Sequence, residues 1–307
     1  MEINAKVNES DHKVTGIRGG LGMTLNARTS EKIAFALLSL AALTVVGFVL
    51  VILAYIIYNG YSAINIEFLT EMPRRMMTQG GIYPAIIGTI ALIIGSMLVA
   101  LPVGIMAAIY LNEYAEESRT TWLIDMAVNN LAGTPSVVFG LFGLALFVKY
   151  FGFGPSILSA SLTLALLILP VIIRSTEEAL IAVPNEYRDS SLALGVSKWQ
   201  TIRHVVLPAA IPGIVTGSIL SVGRVAGETA PILLTGAAYF LPRLPDSIYS
   251  QFMALPYHLF VLATAGTNIS KTRHIQYGTA LVLLILVLGL NLIAILIRRH
   301  YRNKLKI

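Results

Sequence analysis

Cysteine is absent from this 307-residue chain, which excludes both a disulfide frame and a thiolate metal site. Charge is scarce as well. Only 12% of the residues are Asp, Glu, Lys or Arg, about half the share of an ordinary soluble domain. No Gly-x-x-x-x-Gly-Lys-Ser/Thr run occurs, and the stretch from Gly16 to Gly22 lacks the lysine and any preceding strand. The chain therefore carries no nucleotide-phosphate cradle of its own. His12, His204, His258, His274 and His300 show no metal-ligand spacing. No catalytic constellation emerges, so an enzyme is not expected.

What is plentiful is apolar surface, at 56% of positions, and it falls into long blocks. The net charge of +6 would suit a nucleic-acid binder. However, the basic residues sit at the ends of the apolar blocks, so the expected partner is a lipid bilayer and not nucleic acid. Residues 1–30 are polar, with Lys6, Lys13, Arg18 and Arg28, and read as a mobile cytoplasmic tail. The first block, about 33–58, is longer than the roughly 7–15 residues of a signal-peptide core and should remain as a span.

A spanning helix needs about 20 mostly apolar residues. Six blocks qualify, at about 33–58, 82–111, 122–149, 156–174, 209–235 and 276–297. The expected fold class is an all-α membrane protein with six transmembrane helices, the permease domain covering 31–298. Gly133-Thr134-Pro135-Ser136 is placed to bend or divide the third block. Six spans put both ends on one side. Fifteen Lys and Arg flank that side and six the other, which predicts cytoplasmic termini. Residues 299–307 form a basic tail that ends the last span at the lipid surface.

Between the fourth and fifth blocks, residues 184–208 predict two short helices. Pro184 suits a first helical position, Gly195 permits a left-handed turn, and Ser197 can cap a second helix through Ile202 and Val206. Such a pair makes a rigid cytoplasmic knob that another protein can push.

Arg224 and Glu228 lie near the middle of the fifth block, four residues apart, a spacing that lets them pair on one helical face. An arginine in a bilayer costs about 2.5–3.5 kcal/mol even on the lenient insertion scale, so an interior or cavity position is expected. Two roles stand open: a station for an anion, whose oxygens the planar guanidinium suits, or an ion pair that locks helix packing. Thr229 can add a hydroxyl. Thr134 and Ser136 either approach a ligand or sit in close helix packing. Asp125 and Asn129 read as polar helix-start and interhelical contacts, with lining of the pathway as the other role. Glu177 and Glu178 read as a solvated rim. Segment 236–275, around the apolar run Leu255 to Ala265, is too short to span; it either docks a partner or closes the pore mouth.

The knob resembles the EAA loop of ABC-importer permeases. Asp189-Ser190-Ser191, Gly195, and Val205-Val206-Leu207-Pro208 keep that pattern's spacing, with Asp-Ser-Ser for Glu-Ala-Ala and Val for Ile. The string from Gly223 to Gly236 resembles the signature of phosphate permeases, in particular the PstA type. Gly80-Gly81-Ile82, Pro84-Ala85-Ile86, Pro102 to Ile105, Tyr110 to Tyr114 and Leu131 to Leu141 belong to the same resemblance. It implies a type I (MetI-like) bundle in the bacterial inner membrane with a cytoplasmic coupling helix. Glu186, Tyr187, Arg188, Asp189, Ser190, Ser191, Leu194 and Gly195 would couple to the ATPase, while Arg224, Glu228, Thr229, Thr134 and Ser136 would line the substrate pathway. Implied partners are a PstC-like second permease, a PstB-like ATPase dimer using ATP and Mg, a PstS-like phosphate-binding protein, and inorganic phosphate. No cofactor is expected in this chain. Permeation of another oxyanion (molybdate, sulfate) and proton-coupled secondary transport are the alternatives.

Overall fold

The computed structural model describes residues 27–265 and 269–305, side chains at the segment ends (27–30, 269–271 and 301–305) excepted. The tail expected through residue 30 falls outside that range up to residue 26, and so do the last two residues. The chain divides into two units, residues 1–53 and 54–307.

The described part of the first unit belongs to helix α1 (Ala27–Gly60), which begins four residues before the expected tail ends. Phe35, Leu38, Leu43, Phe48 and Val51 all expose more than half of their surface. A helix that is apolar all round, with no polar face, suits lipid or a second apolar surface.

The second unit opens with the end of α1 and the short helix α2 (Ile66–Thr70), capped by the Asn65 carboxamide. A two-residue hairpin follows, β1 (Pro73–Arg74) antiparallel to β2 (Gln79–Gly80). α3 (Tyr83–Ile109) runs on into a π-helical turn, Tyr110–Tyr114. α4 (Arg119–Ala132) and α5 (Ser136–Gly143), which continues through Tyr150, meet at a bend of 105°. The break has a local cause. Thr134 precedes a proline and is pushed out of the helical region, and Pro135 takes φ −58°, ψ 140° as the N-cap of α5. The third expected span is thus a broken pair.

α6 (Ile157–Ile181) is the most enclosed of the long apolar helices. α7 (Asn185–Ala193) and α8 (Lys198–Thr201) follow, and a π turn, Ile202–Val206, joins α8 to α9 (Leu207–Gly227) without interruption. The second helix of the expected knob is therefore the first part of a 30-residue helix, Lys198–Gly227. α9 stops where Gly227 and the coming Pro231 disfavour continuation, and α10 (Ala230–Thr235) starts anew. The fifth block, expected as one helix over 209–235, is divided there. α11 (Leu255–Thr264) is too short to cross a bilayer, and α12 (Ile269–Leu305) is longer at both ends than the apolar block 276–297. Five helices are long and apolar enough to span, six if the bent pair counts as one.

Two apolar clusters hold the second unit together. The larger joins α3, α6, α11 and α12 through residues such as Leu92, Leu164, Ile168, Leu262 and Val282. The Leu255 amide donates to Thr89 Oγ1 at 2.9 Å, fixing the start of α11 on α3. The smaller cluster gathers Ala108, Ile109, Val128, Leu180, Val183, Ile202, Val206 and Ile214, where α3, α4 and α6 end or begin against α8 and α9. Because lipid is as apolar as leucine, such contacts are won by close packing. Gly140 shows it: a Cβ there would sit 2.9 Å from Pro231 Cα, so α5 and α10 touch only because the side chain is absent.

Candidate functional site

The knob is built as its spacing predicts up to Ser197. Pro184 caps α7 with an extended ψ of 140°. Gly195 adopts φ +79°, which costs an L-residue about 1–2 kcal/mol. Ser197 then starts α8 with a capping box: its hydroxyl accepts from the Gln200 amide while Gln200 Oε1 accepts from the Ser197 amide.

The residues expected to face an ATPase separate into two groups. Glu186, Tyr187, Asp189, Ser190, Leu194 and Gly195 are exposed, Leu194 at 83%. Tyr187 also lines a cavity of about 160 Å³ between the end of α6 and the start of α9. Arg188 and Ser191 turn inward instead. Ser191 Oγ lies 2.9 Å from Thr201 Oγ1, tying α7 to α8. The Arg188 guanidinium pairs with Glu113 at 2.7 Å, the two side chains 16% and 8% exposed.

Arg224 occupies the last turn of α9, and Glu228 is the residue that ends the helix, with φ −71° and ψ 133°. The expectation of two positions on one continuous helix is corrected to a pair straddling a helix end. They do meet, Nε to Oε1, at 3.7 Å. That distance is an ion pair but too long for a hydrogen bond. Among the described residues the Arg224 guanidinium makes no hydrogen bond, and its side chain is 35% exposed. Thr229 begins α10 and makes no capping bond. Thr134 Oγ1 donates to the Asn130 carbonyl at 2.8 Å, and Ser136 opens α5. No hydrogen bond or ion pair joins either to Arg224. The two breaks are nevertheless neighbours through the helices that follow them, since Gly140 of α5 lies against Ala230 and Pro231 of α10.

Sequence reasoning missed a third cluster. Arg174 lies inside α6. Its guanidinium binds Asp125 Oδ1 at 3.0 Å, the Asp125 carbonyl at 3.2 Å and Glu177 Oε2 at 2.6 Å. Glu177 is buried, not solvated; Glu178 is exposed. The i, i+3 spacing of Arg174 and Glu177 was a readable signal. Asp125 makes the interhelical contact expected of it; its partner, 49 residues away, was not readable.

Long apolar helices, one span bent at Thr134–Pro135, with a capped knob leading into the helix Lys198–Gly227, make an all-α membrane protein. Residues 100–307 match the family described as binding-protein-dependent transport system inner membrane component. The chain belongs to that family of multi-pass inner-membrane transport subunits. It is 34% identical over 282 residues to the probable ABC transporter permease protein YqgI of Bacillus subtilis (strain 168), covering 88% of this chain and 95% of that one. Phosphate transport system permease protein PstA of Mycobacterium leprae (strain TN) is 38% identical over 249 residues, 78% of this chain and 79% of that one. PstA 1 of Mycobacterium tuberculosis (strain CDC 1551 / Oshkosh) is 40% identical over 220 residues, 71% of each chain. Of solved structures, a bacterial ABC transporter that imports alginate gives a TM-score of 0.64 at 16% identity, covering 89% of this chain and 99% of that chain. The inward-facing MetNI methionine ABC transporter gives 0.55 at 19%, covering 72% and 94%. These two likenesses establish the fold, an ABC-importer permease.

Proposed function

We propose that this chain forms the phosphate pathway of an ATP-driven importer, together with a second, PstC-like permease. The observation that carries the substrate assignment is Arg224. Its guanidinium stands within an apolar helix, held by a single long carboxylate contact, with its donor fork free of hydrogen bonds among the described residues. A planar fork of that kind donates two parallel bonds to an oxyanion. The PstA relatives, named as phosphate permeases, support phosphate as that oxyanion.

In this reading Glu228 holds Arg224 in place and tempers its field, leaving enough positive potential to attract an anion without trapping it. Thr229 contributes a hydroxyl at the helix break, and Thr134 and Ser136 line the path at the other break. A PstB-like ATPase dimer, working with ATP and Mg, seats on the exposed side of α7 and the Gly195 turn. The side chains available to it are acidic and apolar: Glu186, Asp189, Tyr187, Leu194. A PstS-like binding protein delivers phosphate on the opposite side. The basic residues that flank the knob's side support cytoplasmic termini. ATP binding then shifts the population between two packings of the bundle, one open to each side.

Replacing Arg224 with Gln tests the assignment. Assembly with the partners should persist while phosphate uptake falls on the order of tenfold to a hundredfold, since a charged hydrogen bond is worth about 1.5–3 kcal/mol. Normal uptake would remove Arg224 from the pathway.

A further inference from the structure

The exposed side of α7 offers the docking surface, but a single residue on its inner side determines what that surface is attached to. Every donor group of Arg188 has an acceptor. Nη2 donates to Glu113 Oε1 at 2.7 Å and to the Leu180 carbonyl at 2.9 Å. Nη1 donates to the Val183 carbonyl at 2.8 Å and reaches Asn185 Oδ1 at 3.4 Å. Nε lies 3.2 and 3.4 Å from the two Glu113 oxygens. Leu180 and Val183 are at the C-terminal end of α6, where carbonyls run out of helical partners and the helix dipole favours a cation. Glu113 belongs to the π turn that ends α3. One guanidinium therefore joins α7, α6 and α3.

The chain itself links α7 to α6 through Ala182–Pro184 and to α9 through α8. It gives α7 no such link to α3, because Glu113 and Arg188 are 75 residues apart. The Arg188–Glu113 pair supplies one, and Lys198 Nζ, 5.0 Å from the centre of the Tyr114 ring, ties the start of α8 to the same turn. Around them is the smaller apolar cluster, in which Ala108 and Ile109 meet Val183, Ile202 and Val206. Apolar contacts resist separation yet tolerate sliding. A forked ion pair fixes distance and direction together.

We propose that Arg188 and Glu113 are positioning residues that carry motion of the coupling knob into α3, so that α3, α6 and α9 move with the ATPase as one piece. The proposal rests on the reading of α7 as the ATPase seat. Neither residue touches ATPase or substrate in this account; they act by keeping the knob and the bundle in register.

The test uses the whole importer in proteoliposomes: this chain, the second permease, the ATPase and the binding protein. The quantity read is phosphate taken up per ATP hydrolysed, together with the amount of ATPase bound per permease. Loss of one partner alone strands a buried charge and endangers folding. The main variant is therefore the double replacement Glu113→Leu with Arg188→Met, which keeps volume and removes both charges. Glu113→Gln is the second: it is close to isosteric, its amide oxygen can still accept from Arg188, and the Leu180 and Val183 carbonyls keep the other donors paired. Both should bind the ATPase at the unaltered level and continue to hydrolyse ATP. Uptake per ATP should fall about fivefold or more in the double variant, the low end of measured coupling between sites, and less in Glu113→Gln. If the double variant does not assemble, Glu113→Gln decides alone. A ratio equal to that of the unaltered importer overturns the proposal. An unaltered importer that neither binds the ATPase nor needs ATP overturns the seat reading and this proposal with it.

Discussion

Arg174, Arg188 and Arg224 each meet a carboxylate of the same chain, and what else surrounds each decides what it can do. Arg174 and Arg188 have their donors taken up by carboxylates and carbonyls of the same chain. Arg224 keeps its fork open, with one contact at 3.7 Å. A saturated guanidinium is a structural bolt, whereas an open one can accept a passing anion. That contrast assigns Arg174 to packing of α4 against α6, and it predicts a stability effect. Arg174→Gln should lower the thermal midpoint of the purified protein by an amount equivalent to about 1–3 kcal/mol, the cost of leaving a buried carboxylate such as Glu177 short of its partner. The side chain is 33% exposed, so the effect should fall short of that for a fully buried pair. A midpoint unchanged by the substitution would show the cluster to be ornamental.

At the scale of elements, the knob's geometry depends on one left-handed residue. Gly195→Val should disorder the turn between α7 and α8, costing about 1–2 kcal/mol for the left-handed φ alone, and should weaken ATPase association in a pull-down from detergent. Association equal to that of the parent would contradict the reading of this turn. Much of this element was legible beforehand, because proline, glycine and a capping serine are local signals whose physics is complete within a few residues. The break at Thr134–Pro135 was legible for the same reason. The continuation of α8 into α9 was not, since it runs through a π turn, Ile202–Val206, that no residue type announces. The end of α9 at Gly227 was hidden by hydropathy: an apolar block reads as one helix whether or not its backbone turns in the middle. The inward turn of Arg188 depends on Glu113, 75 residues away in sequence, and the Asp125–Arg174 pair on a contact across 49. Pairings of that range are fixed by how helices pack, which one sequence does not encode locally.

At the largest scale, two apolar clusters and a set of polar ties hold the helices of the second unit together. The larger cluster secures α3, α6, α11 and α12; the smaller gathers helix ends around the knob. Backbone direction changes at two places in the apolar region, at the 105° bend between α4 and α5 and after α9, where α10 starts anew. The exposed apolar length of α1 (for example Phe35, Leu38, Phe48) suits lipid or a second apolar surface. The proposed transport cycle joins these parts, the ATPase moving the knob and the knob moving the helices that carry Arg224.

The most direct test of that account is uptake of radiolabelled phosphate into proteoliposomes holding this chain, the second permease, the ATPase and the binding protein. Uptake should require ATP and should persist in excess sulfate or molybdate. Uptake of sulfate or molybdate without phosphate would contradict the substrate assignment, and uptake that proceeds without ATP would contradict the mechanism.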